Sequence, residues 1–446
     1  MLSREENELV TRTGPGTPMG EVMRRSWIPV FLSWELPEPD CPPVRVKVLG
    51  ENLVGFRDTA GRVGLIDEFC SHRRASLWLG RNEENGLRCV FHGWKYDVEG
   101  NCVDMPSEPP ASNFKDKIRL RAYPTLELGG IIWAYMGPKE KIPEPPKFEW
   151  TQVPETHRQV TKTWEECNWL QALEGGLDTA HIGFLHWGLA RKAYGNLDQD
   201  DPTGFRLRAQ SPELEVDVTD YGFRYAGIRR LGEQGEYLRT YHFVMPWTQI
   251  RATQARSGKR TKSGKSEWQA TIGGHYWVPI DDENCMVWNW DYSFGEAPLS
   301  EDDRKEDSAG PEHVYEDKNF RKKRNKDNNW LIDREVQRTK TYTGIQGVNT
   351  QDHAVQESMG AIVDRTQEHL GTIDKAIIKA RQLLLQAVEI VRAGGDPPGV
   401  GPTYYQLRAI ERLIPKGADW RAELLPEMYQ TVVTKGGVPS GLKTLP

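Results

Sequence analysis

The chain has 446 residues, 37% hydrophobic and 27% charged, the balance of a globular protein long enough for two or three domains with their own cores. Its net charge of −6 lacks the basic bias of a nucleic-acid binder, and no run approaches the roughly 18 apolar residues of a membrane span. The polar, acidic start Met1-Leu-Ser-Arg-Glu-Glu-Asn-Glu has the features of neither a signal nor a transit peptide, so a cytoplasmic location is expected.

Ser3 with Glu6 reads as a capping box opening a short helix, broken by Gly14-Pro-Gly-Thr-Pro. Val44-Arg-Val-Lys-Val-Leu and Leu53-Val-Gly-Phe-Arg alternate on either side of Gly50-Glu51-Asn52, which predicts a β-hairpin. Val63-Gly-Leu-Ile and Gly129-Gly-Ile-Ile-Trp-Ala-Tyr continue the pattern, so residues from about 25 to 140 read as a small β domain. Pro143-Glu-Pro-Pro-Lys-Phe marks a domain boundary. Residues from about 160 to 190 read as helical. Between about 205 and 295, segments such as Leu214-Glu-Val-Asp-Val and Cys285-Met-Val-Trp-Asn-Trp predict a curved antiparallel sheet. From Arg251 to Lys265 six cations (Arg251, Arg256, Lys259, Arg260, Lys262, Lys265) stand without an acid, which reads as a flexible basic loop. The acidic stretch 300–310 and the basic Arg321-Lys-Lys-Arg-Asn-Lys likewise read as solvated loops, or else as a docking surface for a redox partner. Ile373, Ile377, Ala380, Leu384, Val388 and Val391 recur at helical spacing and predict an amphipathic helix over 372–392, ended by Gly394-Gly395. The predicted class is α+β. Residues 1–155 form an N-terminal all-β domain with a helical lead-in, and 156–446 a second domain with a curved antiparallel sheet covered by helices.

The six cysteines, Cys41, Cys70, Cys89, Cys102, Cys167 and Cys285, are too sparse for a disulfide scaffold. Four chemistry-bearing residues group instead. Cys70-Ser-His72 is followed, with sixteen residues between, by Cys89-Val-Phe-His92. Each half offers one thiolate and one imidazole from a tight loop. Two such loops can enclose a [2Fe–2S] cluster, one iron taking both sulfurs and the other both imidazoles, the Rieske ligand set. A Cys₂His₂ zinc site uses the same residue types, usually with like ligands adjacent rather than alternating. Gly80 and Gly86 in the connecting segment permit close backbone approach. These ligand positions, with His92-Gly-Trp-Lys-Tyr after them, resemble the Rieske domain of aromatic ring-hydroxylating oxygenases.

A second constellation is Asp178-Thr-Ala-His181-Ile-Gly-Phe-Leu-His186. On one helix Asp178 and His181 share a face. His181 and His186, five apart, reach one metal only if the helix bends or ends, with Gly183 a candidate break. Two histidines and one carboxylate make the facial triad of a non-haem Fe(II) oxygenase, although paired helical histidines also occur as structural groups.

The resemblance then extends over nearly the whole chain. Thr11-Arg-Thr-Gly-Pro-Gly-Thr-Pro-Met-Gly, Cys167-Asn-Trp-Leu-Gln-Ala-Leu-Glu-Gly, the 178–186 run and Asn349-Thr-Gln-Asp352-His-Ala-Val-Gln-Glu357 are similar to the phthalate-dioxygenase-like branch of Rieske oxygenases, which are built from α subunits only. The resemblance implies a mononuclear Fe(II) held by His181, His186 and a later aspartate. Asp352 fits best, read as opening a helix, with Glu357, Asp333 and Asp364 as rivals. It implies that Asp178 bridges His181 to the Rieske residue His92 of a neighbouring subunit, in a homotrimer or dimer of trimers. Ser71-His-Arg-Arg-Ala departs from relatives, which often have Pro before the His and Gly after the first Arg. No Gly-x-Gly-x-x-Gly fingerprint is present, so NADH electrons are expected through a separate reductase or ferredoxin. The implied reaction is O₂-dependent hydroxylation or dihydroxylation of an aromatic carboxylate, with O-demethylation of a methoxylated aromatic acid as the alternative. A non-catalytic Rieske electron carrier is the alternative from another class. An anionic substrate predicts a pocket arginine, with Arg206, Arg208, Arg229, Arg230 and Arg239 as candidates.

Overall fold

The computed structural model describes residues 2–187, 204–206, 209, 211–260, 266–300, 304 and 319–429. Two compact units emerge, one of residues 12–146 with 278–282, the other of 1–11, 147–277 and 283–446. The expected boundary therefore shifts at both ends: residues 1–11 and 147–155 group with the larger unit. The reason is local. The helix Arg4–Thr11, opened by the reciprocal Ser3/Glu6 cap, is fastened to later segments of that unit. Asn7 Nδ2 donates to Val363 O at 3.1 Å, Asn7 Oδ1 accepts from Arg365, and Thr11 O accepts from Asn168 Nδ2 at 3.0 Å. Among the described residues no helix is long and apolar enough to cross a membrane.

The smaller unit is β-rich. Strands β1 (Trp27–Leu32), β2 (Val44–Val48), β3 (Glu51–Arg57), β4 (Val63–Asp67), β5 (Arg81–Glu83), β6 (Gly86–Arg88), β7 (Lys95–Tyr96), β8 (Cys102–Asp104), β9 (Thr125–Leu128) and β10 (Ile131–Tyr135) form three small sheets, ordered β1-β10-β9, β2-β3-β4 and β5-β6-β7-β8. The predicted hairpin exists, but Val48 pairs with Glu51, so its turn is Leu49-Gly50 rather than 50–52. Both turn residues have positive φ, 47° and 77°, the two-residue geometry that matches strand twist. The core under the third sheet holds Phe56, Leu77, Leu87, Trp94 and Tyr96, together with Cys70, Cys89 and Cys102.

The larger unit is built on an eight-stranded antiparallel sheet. Its strands are β11 (Arg158–Glu165), β12 (Glu213–Thr219), β13 (Gly222–Arg230), β14 (Glu236–Val244), β15 (Thr248–Arg260), β16 (Ser266–Pro279), β17 (Cys285–Tyr292) and β18 (Glu411–Ile414), in the order β11-β17-β16-β15-β14-β13-β12 with β18 on β14. Two expectations change here. Residues 158–165 are a strand paired with β17, not helix, and a helix follows over Trp169–Leu177. The predicted basic loop is strand through Arg260, which pairs with Ser266; residues 261–265 lie outside the described residues, as do Arg208 and most of the acidic stretch. The amphipathic helix runs from Lys375 to Arg392 and buries Ile377, Ala380, Leu384 and Val388, whereas Ile373 lies before it and is exposed.

Glycine sets how closely the Trp169–Leu177 helix packs. A Cβ on Gly176 would fall 2.2 Å from the Trp277 ring, and one on Gly175 would fall 2.0 Å from Gln356. The end of this helix thus lies against β16 on one side and the helix Val348–Ser358 on the other. Asp178 is its C-cap residue, so the close approach delivers the 178–186 segment to both neighbours.

Candidate metal centres

The two Cys/His loops of the smaller unit have matching backbones. Cys70 N donates to Ala75 O and Arg74 N to Cys70 O, both at 2.9 Å; Cys89 N donates to Trp94 O at 2.8 Å and Gly93 N to Cys89 O at 2.9 Å. The fourth residue after each cysteine is left-handed, Arg74 with φ 62° and Gly93 with φ 80°. Glycine adopts this conformation freely and Arg74, the departure noted in the sequence, carries it at a cost of roughly 1 kcal/mol.

Cys70 and Cys89 are buried, 1% and 3% exposed, while His72 is exposed and His92 half-buried. The two imidazoles meet edge-on at 4.4 Å, and His72 stacks on Trp94 at 4.6 Å. Burial pushes the Cys89 thiol up, and the neighbouring Cys70 adds to the shift. Tyr96 Oη lies 3.3 Å from Cys70 Sγ and accepts from Ser71 N. His92 Nδ1 is buried without a hydrogen-bond partner, which is costly for a polar atom unless something accepts its lone pair. Buried thiols, converging imidazoles and that orphaned nitrogen fit a cluster with sulfur ligands inside and nitrogen ligands outside. All six cysteines are free.

In the larger unit, ligand atoms of His181, His186 and Asp352 lie within 4.8 Å of one another. His181 does not share a helix with Asp178 as expected. The helix ends at Leu177, and His181 opens a single 3-10 turn through Gly183, so the break precedes both histidines. Asp352 does not open its helix either; it is the fifth residue of Val348–Ser358. His181 Nε2 and His186 Nε2 lie 3.5 and 3.2 Å from Asp352 Oδ1. Each outer nitrogen has its own partner: His181 Nδ1 faces Asp178 Oδ2 at 3.4 Å, and His186 Nδ1 lies 2.8 Å from Gln351 Oε1. Burial alone would depress the His181 imidazole, but the Asp178 hydrogen bond and the charge of Asp352 raise it. Burial likewise opposes ionisation of Asp352, yet His186, His181 and Arg251 hold it below the usual carboxylate range. Two nitrogens and one oxygen converging from one side suit a facial-triad metal.

The rival carboxylates are engaged elsewhere. Glu357 pairs with Lys322 at 3.0 Å and accepts from Trp330 and Glu166. Asp333 caps the helix Arg334–Thr339, and Asp364 holds a turn to Thr366. Lys322, expected in a solvated basic loop, is instead 2% exposed.

Of the predicted pocket arginines, Arg230 is exposed and pairs with Glu213 and Glu236. Arg206 lies 3.7 Å from Glu411. Arg229 donates to Thr179 O and Arg239 to Ala252 O. The residue the sequence reading missed is Arg251. It lies opposite Tyr241 on β14 and Gly273 on β16; directly opposed residues share a sheet face. A Cβ on Gly273 would fall 2.2 Å from Asp291 Oδ1, so the Asp291 carboxylate takes the space that a side chain there would need. Gln249 and His275 form the next row of that face, and Gln249 donates to Gly176 O at the end of the Trp169–Leu177 helix. Arg251 Nη1, His275 Nε2 and Asn289 Nδ2 are buried without partners. Burial lowers the Arg251 guanidinium and the charges of Asp291 and Asp352 only partly compensate. Asn289 Oδ1 accepts from Asn349 Nδ2 at 3.3 Å, which ties β17 to the helix that carries Asp352.

Residues 26–124 match the Rieske [2Fe-2S] domain and residues 134–435 the LigXa C-terminal domain like family. The oxygenase subunit of phthalate 4,5-dioxygenase from Pseudomonas putida is 39% identical over 433 residues, covering 94% of each chain. The oxygenase subunit of 5,5'-dehydrodivanillate O-demethylase from a Sphingobium species is 32% identical over 444 residues, covering 98% of this chain and 91% of that one. The crystal structure of dicamba monooxygenase bound to 3,6-dichlorosalicylic acid shares the fold, with a TM-score of 0.57 at 18% identity over 83% of this chain and 98% of that one.

Proposed function

The chain belongs to the Rieske oxygenases, as an oxygenase subunit of the branch that includes phthalate dioxygenase, and from that premise we propose that it oxidises an aromatic carboxylate with O₂ and NADH-derived electrons. The observation that carries the substrate class is Arg251, whose Nη1 is buried without a hydrogen-bond partner on the sheet face near Asp352. A protein keeps such a charge away from water at a cost of several kcal/mol, and a substrate carboxylate removes the cost with charge-assisted hydrogen bonds. His275 and Asn289 add uncharged donors beside it.

Cys70, His72, Cys89 and His92 would hold the [2Fe–2S] cluster, and His181, His186 and Asp352 the mononuclear iron. When bound, the cluster supplies single electrons and the iron a site for O₂ activation. The chain's own residues orient and exclude. Asp178 accepts from His181 Nδ1 and leaves Nε2 free for the metal, and the carboxylate–histidine pair raises the basicity of that ligand. Arg251 fixes one end of the acid and thereby the distance of its ring from the triad. The buried aromatic Tyr241, with its hydroxyl 2.7 Å from Thr179 Oγ1, stands opposite Arg251 on β14.

Electrons reach the chain from a separate reductase or ferredoxin. Asp178, with its side chain 23% exposed, suits a bridge from His181 to His92 of the partner subunit in a head-to-tail homotrimer or dimer of trimers, and the cytoplasm suits an NADH-dependent system. Residues 12–146 would then act as the electron-receiving domain and the larger unit as the catalytic one.

The second reading is O-demethylation of a methoxylated aromatic acid, favoured by the full-length likeness to an O-demethylase subunit. Both readings use the same triad and Arg251 and differ in what the acid presents to the iron. Turnover of a panel of aromatic acids with excess reductase, NADH and O₂, following NADH and formaldehyde together, separates them. Formaldehyde in step with NADH identifies an O-demethylase, and a dihydrodiol or phenolic product without formaldehyde a ring oxygenase. No coupled turnover of any acid by protein with both centres loaded overturns the carboxylate assignment.

A further inference from the structure

Gln351 is 0% exposed, and its amide has only one way to lie. Its nitrogen is 2.9 Å from Ile345 O and 2.7 Å from Thr343 Oγ1. A carbonyl oxygen accepts and never donates, so Nε2 must face Ile345 and Oε1 must face His186, 2.8 Å from Nδ1. An amide oxygen has no proton to give. His186 therefore carries a proton on Nδ1, and its Nε2 points at Asp352 Oδ1.

We infer that Gln351 is a positioning residue for the mononuclear iron, fixing the tautomer and ring plane of His186 through an amide whose own orientation is locked by the 343–345 segment. The inference rests on the reading of His186 as an iron ligand. The two histidines are then supported unequally. His181 leans on the charged Asp178, which also caps a helix and is partly exposed, whereas His186 leans on a neutral, fully buried group beside Asp352 in sequence. Because Gln351 and Asp352 are adjacent on one helix, displacement of that helix moves an iron ligand and the support of another together. A neutral acceptor also keeps a second full negative charge away from Asp352 while still excluding the wrong tautomer.

The test separates the acceptor from the rest of the side chain. Gln351→Met removes acceptor and donors alike; Gln351→Glu keeps an acceptor for His186 but loses the donors to Ile345 and Thr343. Full-length protein with its cluster in place is depleted of mononuclear iron and titrated anaerobically with Fe(II) against a chromogenic chelator, and the electron paramagnetic resonance of the nitric oxide adduct is recorded on reloaded samples. Q351M should bind iron ten- to hundredfold more weakly with an altered adduct signal and an unchanged cluster spectrum. Q351E should stay within a fewfold of the parent, although both variants melt at lower temperature for want of the cross-link. Equal loss of iron affinity in the two variants, or none in Q351M, overturns the inference. If Q351M does not accumulate as folded protein, Q351E decides alone: a lowered melting temperature with parental iron affinity supports the role of the acceptor, and joint loss of both refutes it. Failure of the parent protein to take up a third iron would instead overturn the metal reading on which the inference rests.

Discussion

Arg251 is expensive in the free protein and useful with substrate, so its replacement should move stability and binding in opposite directions. Arg251→Leu removes a guanidinium whose Nη1 is buried without a hydrogen-bond partner and whose charge burial disfavours. The melting temperature should rise, as it does when an uncompensated buried charge gives way to an apolar side chain. Binding of an aromatic acid loses a charge-assisted pair worth about 1.5–3 kcal/mol, so its KM should rise about ten- to hundredfold; unchanged KM for every acid tested removes Arg251 from the substrate site. A second single-residue test concerns Glu165, a fully buried carboxyl that burial first, and nearby Glu357 next, push up to about 8 against the pull of Lys322. Its unfolded value lies near 4.3, so between those values the native state holds more protons and stability falls as pH rises from about 4 through about 8. Glu165→Gln should flatten that decline in denaturant midpoints recorded from pH 5 to 9, and parallel curves for parent and variant would show that this carboxyl does not control it. At this scale the candidate ligands stand out in the sequence because metal chemistry demands particular residue types at short spacing. Arg251 and Lys322 were not, because each stands in a run of cations that composition assigns to solvent. Only the strand register turns Arg251 inward, and only Glu357 and His353, over 30 residues away, bury Lys322.

Helices around the triad are held by one buried ionic node. Glu174, on the Trp169–Leu177 helix, receives Arg365 Nη2 at 2.9 Å and Arg381 Nε at 2.6 Å; Arg381 continues to Glu368, and Arg365 to Asn7 of the first helix. Burial opposes the charge on Glu174, but the two guanidiniums hold its carboxyl below the usual range. Removing the shared acceptor leaves Arg365, 0% exposed at the side chain, with the neutral Asn7 as its remaining partner among the described residues, and takes one of two carboxylates from Arg381, 5% exposed. Glu174→Ala should therefore cost about 3–5 kcal/mol in denaturant unfolding; a loss under 1 kcal/mol would mean that the arginines find other partners or water. This node also shows why element boundaries were less legible than site residues. The capping box at Ser3 and the apolar stripe of 372–392 are local signals, and helices form at both, the second starting three residues later than its signal. The run from 158 to 165 has no local pattern strong enough to mark a strand, and its pairing with β17, some 120 residues later, makes it one. In the next helix Gly175 and Gly176 let Gln356 and Trp277 pack closer than ordinary side chains would allow, an approach no local pattern announces.

On the scale of the whole molecule, the order of a cluster domain followed by a larger sheet domain was legible from the Pro-rich stretch near 143–146 and from the two metal motifs on either side of it. What the sequence concealed was that residues 1–11 belong with the later unit and 278–282 with the earlier one, since such exchanges depend on contacts between segments hundreds of residues apart. Two centres in two units make electron delivery a separable step, and on the proposed reading Asp178 is the place to interrupt it. Its Oδ1 is committed to Ala180 N at 2.7 Å, and its Oδ2 faces His181 Nδ1, so the carboxylate both shapes the turn and holds the imidazole. Asp178→Asn retains an oxygen for Ala180 but offers an amide N–H where His181 Nδ1 needs an acceptor. With His181 still free to use Nε2, iron should remain bound, and the four cluster ligands, all far away in sequence, are untouched. The expected phenotype is therefore a fully loaded protein, three irons and two acid-labile sulfides per chain, whose cluster is reduced normally by its partner but is reoxidised by O₂ and substrate at least tenfold more slowly in single-turnover absorbance measurements. Loss of the third iron would make Asp178 a support for the metal alone, and normal reoxidation would exclude it from the electron route and with it the head-to-tail ring built on that contact.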